Sequence, residues 1–283
     1  MTDNSNGSDS SGISFTAFYT GEVWQRHGLS VPFLSAPQGR LLYTAGRPVE
    51  LLGKWLIGAN NEILLLQRHR IIDHVLRRAI REEGFAQVVE IACGLSPRGT
   101  RFCAEFPGLT YVEADLPGMA GRKRHLLQKA GELSTRHRVL DIDILAHGLP
   151  HSLENVFARE LDPTRKTLVI TEGLINYFDY ATIHGFWTRL ADCLRAFPAG
   201  LYVSDLYPDF QWHRFIRVAD RLKKALAMAT RSQVTLHFAN EADIHTGFRD
   251  AGFAQTTVHL PESYYGLLDI PRQRIPSIVR VLE

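Results

Sequence analysis

The rhythm of apolar and polar positions changes near residue 84. From 13 to 66, apolar and aromatic residues are interrupted by Gly28, Pro32, Pro37, Gly39, Gly46, Pro48, Gly53 and Gly58, which predicts short helices and loops rather than a sheet. Over 61–83, Leu64, Leu65, Ile71, Ile72, Val75, Leu76 and Ile80 follow helical spacing, so a long amphipathic helix is expected, ended by Gly84. Beyond it, short β-rich runs at 87–93, 110–115, 138–144, 167–172 and 201–206 alternate with helix-length segments at 121–133, 149–160 and 180–197. That alternation predicts an α/β domain with a parallel sheet and helices on both faces, wound by right-handed crossovers. A further β-rich run at 233–238, a helix at 243–252 and a strand at 256–260 follow. The segment 207–231, with Trp212, Phe215 and Ile216, reads as a helical insertion after the fifth strand.

Composition narrows the picture. At 283 residues, the chain suits one large α/β domain, or one with a helical lid. Residues 1–12 are Ser, Asn, Asp and Gly with almost no apolar content, and are expected to be a disordered tail. The lid would then occupy 13–84 and the sheet domain 85–283. The formal net charge is +2 and the basic runs are short and scattered, so no nucleic-acid partner is expected. Three cysteines without a CxxC, no signal peptide and no membrane-spanning run point to a reduced, cytoplasmic protein with no membrane partner. His147 and His151 stand four apart, but Gly148 and Pro150 lie between them, so no metal site is expected. The expected partners are small molecules; the sequence does not set the oligomeric state.

In an open parallel sheet, ligands bind at the carboxyl ends of the strands. The first strand ends in Ala92-Cys93-Gly94-Leu95-Ser96, where a small residue and a glycine let backbone approach a ligand closely. It is not GxGxxG, and no phosphate-binding lysine follows, which disfavours a dinucleotide or ATP. Asp115 ends the second strand roughly 20 residues later, the spacing at which an acid takes ribose hydroxyls, although an aspartate there also suits a helix N-cap. Asp143 and Ile144 end the third strand, where a carboxylate and a backbone N–H would meet an adenine ring; a surface acid is nearly as good a reading. The fourth strand ends in Glu172-Gly173, with Tyr177 beyond it, at the centre of such a pocket. Packing with a satisfied hydroxyl competes as the role of Tyr177.

Taken together, 87–95, 111–117 and 171–177 resemble the leucine carboxyl methyltransferase family, including its polyketide O-methyltransferase branch. Upstream, Arg68-His69-Arg70-Ile71-Ile72-Asp73 is similar to that family's Arg-rich helix, and 16–21 is a looser echo. The resemblance implies a Rossmann-like class I fold dependent on S-adenosylmethionine (SAM), with an N-terminal helical lid. It implies Arg68 at the SAM carboxylate by a bidentate fork, with Arg70 the weaker candidate. It further implies Ala92 and Gly94 beside the methionine part, Asp115 at the ribose, Asp143 and Ile144 at the adenine, and Glu172 near the amino group. Two departures stand out: Ala92 replaces a glycine, and Ser96-Pro97 replace an aspartate and threonine.

Two reactions at the sulfonium are open. A nucleophile can take the methyl group, or SAM's own amine can attack its γ-carbon, closing azetidine-2-carboxylate and releasing methylthioadenosine. The chain is also similar to the azetidine-2-carboxylate synthases of natural-product clusters, a small branch near this family. Ring closure needs orientation and a proton acceptor but no second substrate. Tyr177, Ser204 and Asn155 are the neutral polar candidates for that task, and Phe15, Tyr19 and Trp24 are candidates to cover the sulfonium. The cyclase is favoured slightly over an O-methyltransferase acting on a small acid or polyketide. A SAM-binding module without turnover is the third reading.

Overall fold

The computed structural model describes residues 10–58, 60–209 and 235–283. Three helices lead the chain: α1 (Ser10–Arg26), α2 (Pro37–Ile57) and α3 (Asn61–Glu82). Then come β1 (Gln87–Ile91), α4 (Arg98–Glu105), β2 (Thr110–Asp115), α5 (Pro117–Ala130) and β3 (His137–Asp141). After them follow α6 (Leu153–Glu160), β4 (Thr167–Thr171), α7 (Tyr180–Leu194) and β5 (Gly200–Leu206). The last elements are α8 (Glu241–Asp250), β6 (Val258–His259) and β7 (Arg280–Leu282).

The seven strands form one sheet in the order β3-β2-β1-β4-β5-β7-β6. β1 to β5 are mutually parallel, while β7 runs antiparallel to both β5 and β6. β1 and β4 are buried along their whole length, as expected of central strands covered on both faces. One face carries Val89, Ile91, Val112 and Val169 against α6, α7 and α8. The other carries Val88, Tyr111, Leu168 and Ile170 against α3 and Phe102 of α4.

The helix expected over 61–83 forms because both ends are closed. Asn60 accepts from Ile63 N at 2.9 Å, and Gly84 takes a φ of 76° just past the end. The lid differs from expectation. Its glycines and prolines do not fragment it: α1 and α2 are continuous helices of 17 and 21 residues, and α1 begins inside the segment expected as tail. Gly39 permits a close helix crossing, since a Cβ there would collide with the Phe18 carbonyl of α1. Pro48 lies inside α2 on its exposed side. Burial against α1 outweighs the weak local propensity.

Two readings near the C-terminus also change. The run at 233–238 is not a strand over its described part. Thr235 N donates to the Asn176 backbone carbonyl, and Asn176 Nδ2 donates back to Thr235 O, so one residue of the turn after β4, rather than a neighbouring strand, pairs this backbone. Phe238 beside it stacks on Trp187 at 6.1 Å between ring centroids. Of the expected insertion at 207–231, residues 210–231 lie outside the described residues. α4 and β7 were not anticipated.

Candidate active site

The loop after β1 is shaped by two left-handed residues, Ala92 at φ 55° and Gly94 at φ 48°. Ala92 is the only non-glycine with positive φ among the described residues. Its alanine holds a conformation that disfavours any Cβ. Ala92→Gly is therefore expected to raise stability by about 0.5–1 kcal/mol, read from the denaturant midpoint.

Asp115 ties this loop to the next strand. One carboxylate oxygen accepts from Gly94 N at 2.8 Å and the other from Leu116 N at 2.8 Å. Burial pushes its carboxyl up, and the two amides oppose that. The aspartate is an end-of-strand clamp whose remaining lone pairs are available to hydroxyl donors. Asp143 turns its own loop, accepting from Leu145 N at 2.9 Å, while its N–H donates to His151 O. The Ile144 side chain belongs to the core, and its carbonyl accepts from Arg189 at 2.6 Å.

Beside this loop lies a buried charge cluster. Arg68 of α3 donates to Glu172 at 3.1 Å and to Asp205 at 2.9 Å, with the Tyr207 hydroxyl at 3.4 Å. Asp205 also accepts from Gly173 N at 2.6 Å, which fixes the turn after β4. Glu172 accepts from Arg98 at 2.6 Å and faces His69 Nδ1 at 2.9 Å. Arg98 has no exposed surface and also reaches Asp73 at 2.7 Å and Glu90. Burial pushes Asp73 up, but His69, Arg98 and Arg101 outweigh it and hold its carboxyl at about 2. Glu172 is likewise raised by burial and brought well below the usual carboxylate range by His69, Arg98 and Arg68. Arg70, the weaker sequence candidate, turns away and pairs with the exposed Asp269.

The lid packs directly on this edge. The Ala17 Cβ lies 3.2 Å from where a Cβ on Gly94 would sit, and Gly21 faces Leu95. Tyr177 donates to Thr16 Oγ1 of α1 at 3.1 Å. Two other lid aromatics have different partners. Tyr19 stacks on Tyr43 at 6.1 Å and donates to Glu50, inside the lid itself. Trp24 packs on His69 at 4.6 Å. The Phe15 side chain lies outside the described residues.

The three neutral candidates are not linked to one another by hydrogen bonds among the described residues. Tyr177 sits under the lid. Ser204 is fully buried, with its hydroxyl 2.7 Å from Thr171 Oγ1 and donating to Thr171 O. Asn155 donates to Leu149 O at 2.8 Å and lines a cavity of about 420 Å³ with Asp141, His151 and Arg159. Sequence reasoning missed Asp205 and Arg98. The alternation along β5 carries the signal for the first: Tyr202 and Leu206 face α7, so Asp205 must face α3 and Arg68.

The sheet order, the reversed β7 and an acid-and-glycine loop edge define a Rossmann-like class I SAM-dependent methyltransferase fold, here with helices α1 and α2 laid over it. Residues 54–190 match the model of the leucine carboxyl methyltransferase family, and over that stretch the chain is similar to it. Magnesium protoporphyrin IX methyltransferase (ChlM) from Synechocystis PCC 6803, solved with bound S-adenosylhomocysteine, is 14% identical. That similarity covers 78% of this chain and 84% of that one, at a TM-score of 0.47. Human N-acetylserotonin methyltransferase, solved with SAM, is 13% identical over 97% of this chain and 71% of its own, at 0.45. No curated protein matches the chain.

Proposed function

We propose that this chain is an enzyme acting at the SAM sulfonium, and that it closes SAM to azetidine-2-carboxylate with release of methylthioadenosine. The donor set suits the amino-acid end of SAM. Arg68 offers a cation for the carboxylate, and Glu172 and Asp205 flank it as acceptors for the amino group. Ala92, Gly94, Asp115, Asp143 and Ile144 are assigned to the rest of the nucleoside along the same edge.

The observation that carries the cyclase reading is the lid. α1 lies on Gly94 and Leu95, and its Thr16 takes the Tyr177 hydroxyl, so the chain's own residues cover the edge where an acceptor would otherwise approach. In the reaction, the amine nitrogen bonds the γ-carbon while the carbon–sulfur bond breaks. The electron pair passes to sulfur; before the attack the ammonium passes one proton through the Tyr177 and Thr16 hydroxyls to water, which frees its lone pair, and the ring nitrogen leaves as a secondary ammonium. Because Tyr177 donates to Thr16, its oxygen lone pairs are left to accept from the ammonium. Orientation supplies most of the acceleration.

SAM carrying a trideuterated methyl group separates the reactions: the label stays on methylthioadenosine in ring closure and leaves in methyl transfer. Tyr177→Phe is expected to slow ring closure by about 10²-fold or more at unchanged SAM affinity. An unaffected rate would remove Tyr177 from the mechanism. A second reading, O-methyl transfer to a carboxyl or hydroxyl of a small acid or polyketide, is favoured by the family match over 54–190. It predicts label on an added acceptor.

A further inference from the structure

Among the described residues, nothing covers the outer face of α2. Its inner side packs on α1 through Tyr43, and its single acid, Glu50, turns inward to accept from Tyr19 OH and Asn61 N. Its outer side presents Leu41 (71% exposed), Leu51 (52%), Leu52 (48%) and Trp55 (74%), with Pro48 between them. Leu41, Pro48 and Trp55 recur every seven residues, so they form one stripe along the helix, about 21 Å long. One position earlier, Arg40, Arg47 and Lys54 repeat at the same spacing and edge that stripe with positive charge. Arg47 shares Glu62 at 3.8 Å, whereas Arg40 and Lys54 have no acidic partner among the described residues. Exposed leucine and tryptophan at this density are unusual away from an interaction surface.

We propose that the outer face of α2 is a docking surface for an anionic lipid bilayer, with the stripe lying in the interface and the basic row over the headgroups. Charge selects this occupant. Two copies joined through the face would bring both basic rows together, with no outward acid on either helix to answer them. A protein partner would need a groove shaped to a single convex helix, whereas lipid accommodates such a stripe without a preformed shape. Trp55 beside Lys54 is the pairing expected at a membrane–water boundary, the ring at headgroup depth and the ammonium reaching outward. Among the described residues no helix is long and apolar enough to cross a membrane; the contact proposed is with the surface, and it departs from the sequence expectation of no membrane partner.

The test is co-sedimentation of the full chain with vesicles of phosphatidylcholine alone and of phosphatidylcholine with 30–40% phosphatidylglycerol, roughly the charge density at which basic rows engage lipid. Binding is expected on the anionic vesicles only. The double variant Leu41→Ser/Trp55→Ser, which leaves charge untouched, should lower it at least tenfold, and Arg40→Glu/Lys54→Glu should abolish it. Circular dichroism and the melting temperature confirm that both variants fold. Equal binding to neutral and anionic vesicles, or no binding to either, overturns the proposal. So does binding that survives Leu41→Ser/Trp55→Ser. Sedimentation of a dimer that this variant dissociates, without vesicle binding, would give the face to a second copy.

Discussion

Replacing Arg98 with alanine is expected to lower the stability of the fold by about 3–5 kcal/mol, the range for removing one partner of a buried ion pair. The size of the effect follows from what Arg98 holds. Asp73, Glu90 and Glu172 come from α3, β1 and the turn after β4, and each contacts its guanidinium. Without it, three buried carboxylates lose their shared cation, and His69 with Arg68 and Arg101 must answer them alone. The pH dependence has a definite sign. The folded carboxyls of Asp73 and Glu172 lie below their unfolded values, so their contribution is complete above the unfolded value and is lost as pH falls through the folded one. For Asp73 that window runs from about pH 4 to about 2. The gap between wild type and Arg98→Ala should therefore be widest near neutrality and narrow in acid, as measured by chemical denaturation across pH. A constant gap would mean that packing, not charge, makes Arg98 important.

Arg68→Ala is expected to weaken SAM binding by about hundredfold or more, the range for losing one partner of a buried charged contact. Arg68 is the cation between Glu172 and Asp205 and, in the proposed function, the one that meets the SAM carboxylate. Arg70→Ala is the matched control. It stands two residues away on the same helix, but its guanidinium is bound to Asp269 on the outside, so SAM affinity should stay within about twofold. Arg68→Lys keeps the charge without the planar fork and should recover only part of the loss. Equilibrium titration with SAM reads all three. Equal losses in the Arg68 and Arg70 variants would detach the carboxylate from Arg68.

The sheet was legible because its parallel strands are short β-rich runs bounded by helix-length segments. Gln87 to Ile91 and Thr167 to Thr171 lie where the pattern put them. The lid was not legible. Gly39, Gly46 and Pro48 read locally as breaks, yet Gly39 marks a close helix crossing that only the packed structure shows. β7 has just three residues and gains its place from pairing with both β5 and β6, a contact that no local window contains. At the candidate site, Asp115 and Glu172 stood out as acids at strand ends, whereas Arg68, inside α3, was pointed to by the family resemblance alone. Arg98 was hidden by its surroundings: an arginine two residues past a serine reads as surface until three carboxylates from separate elements converge on it. Ser204 shows the converse. A hydroxyl near a strand end suggests chemistry, but the alternation of β5 turns it into the core and points its neighbour Asp205 to Arg68.

The most direct test of the account is to incubate the purified full chain with SAM alone and follow the products by mass spectrometry. Ring closure predicts methylthioadenosine together with an equimolar amino acid of the azetidine-2-carboxylate mass, both above the enzyme-free background. SAM left intact, with S-adenosylhomocysteine forming only when a carboxylic acid or phenol is added, would contradict ring closure and make the chain a methyltransferase.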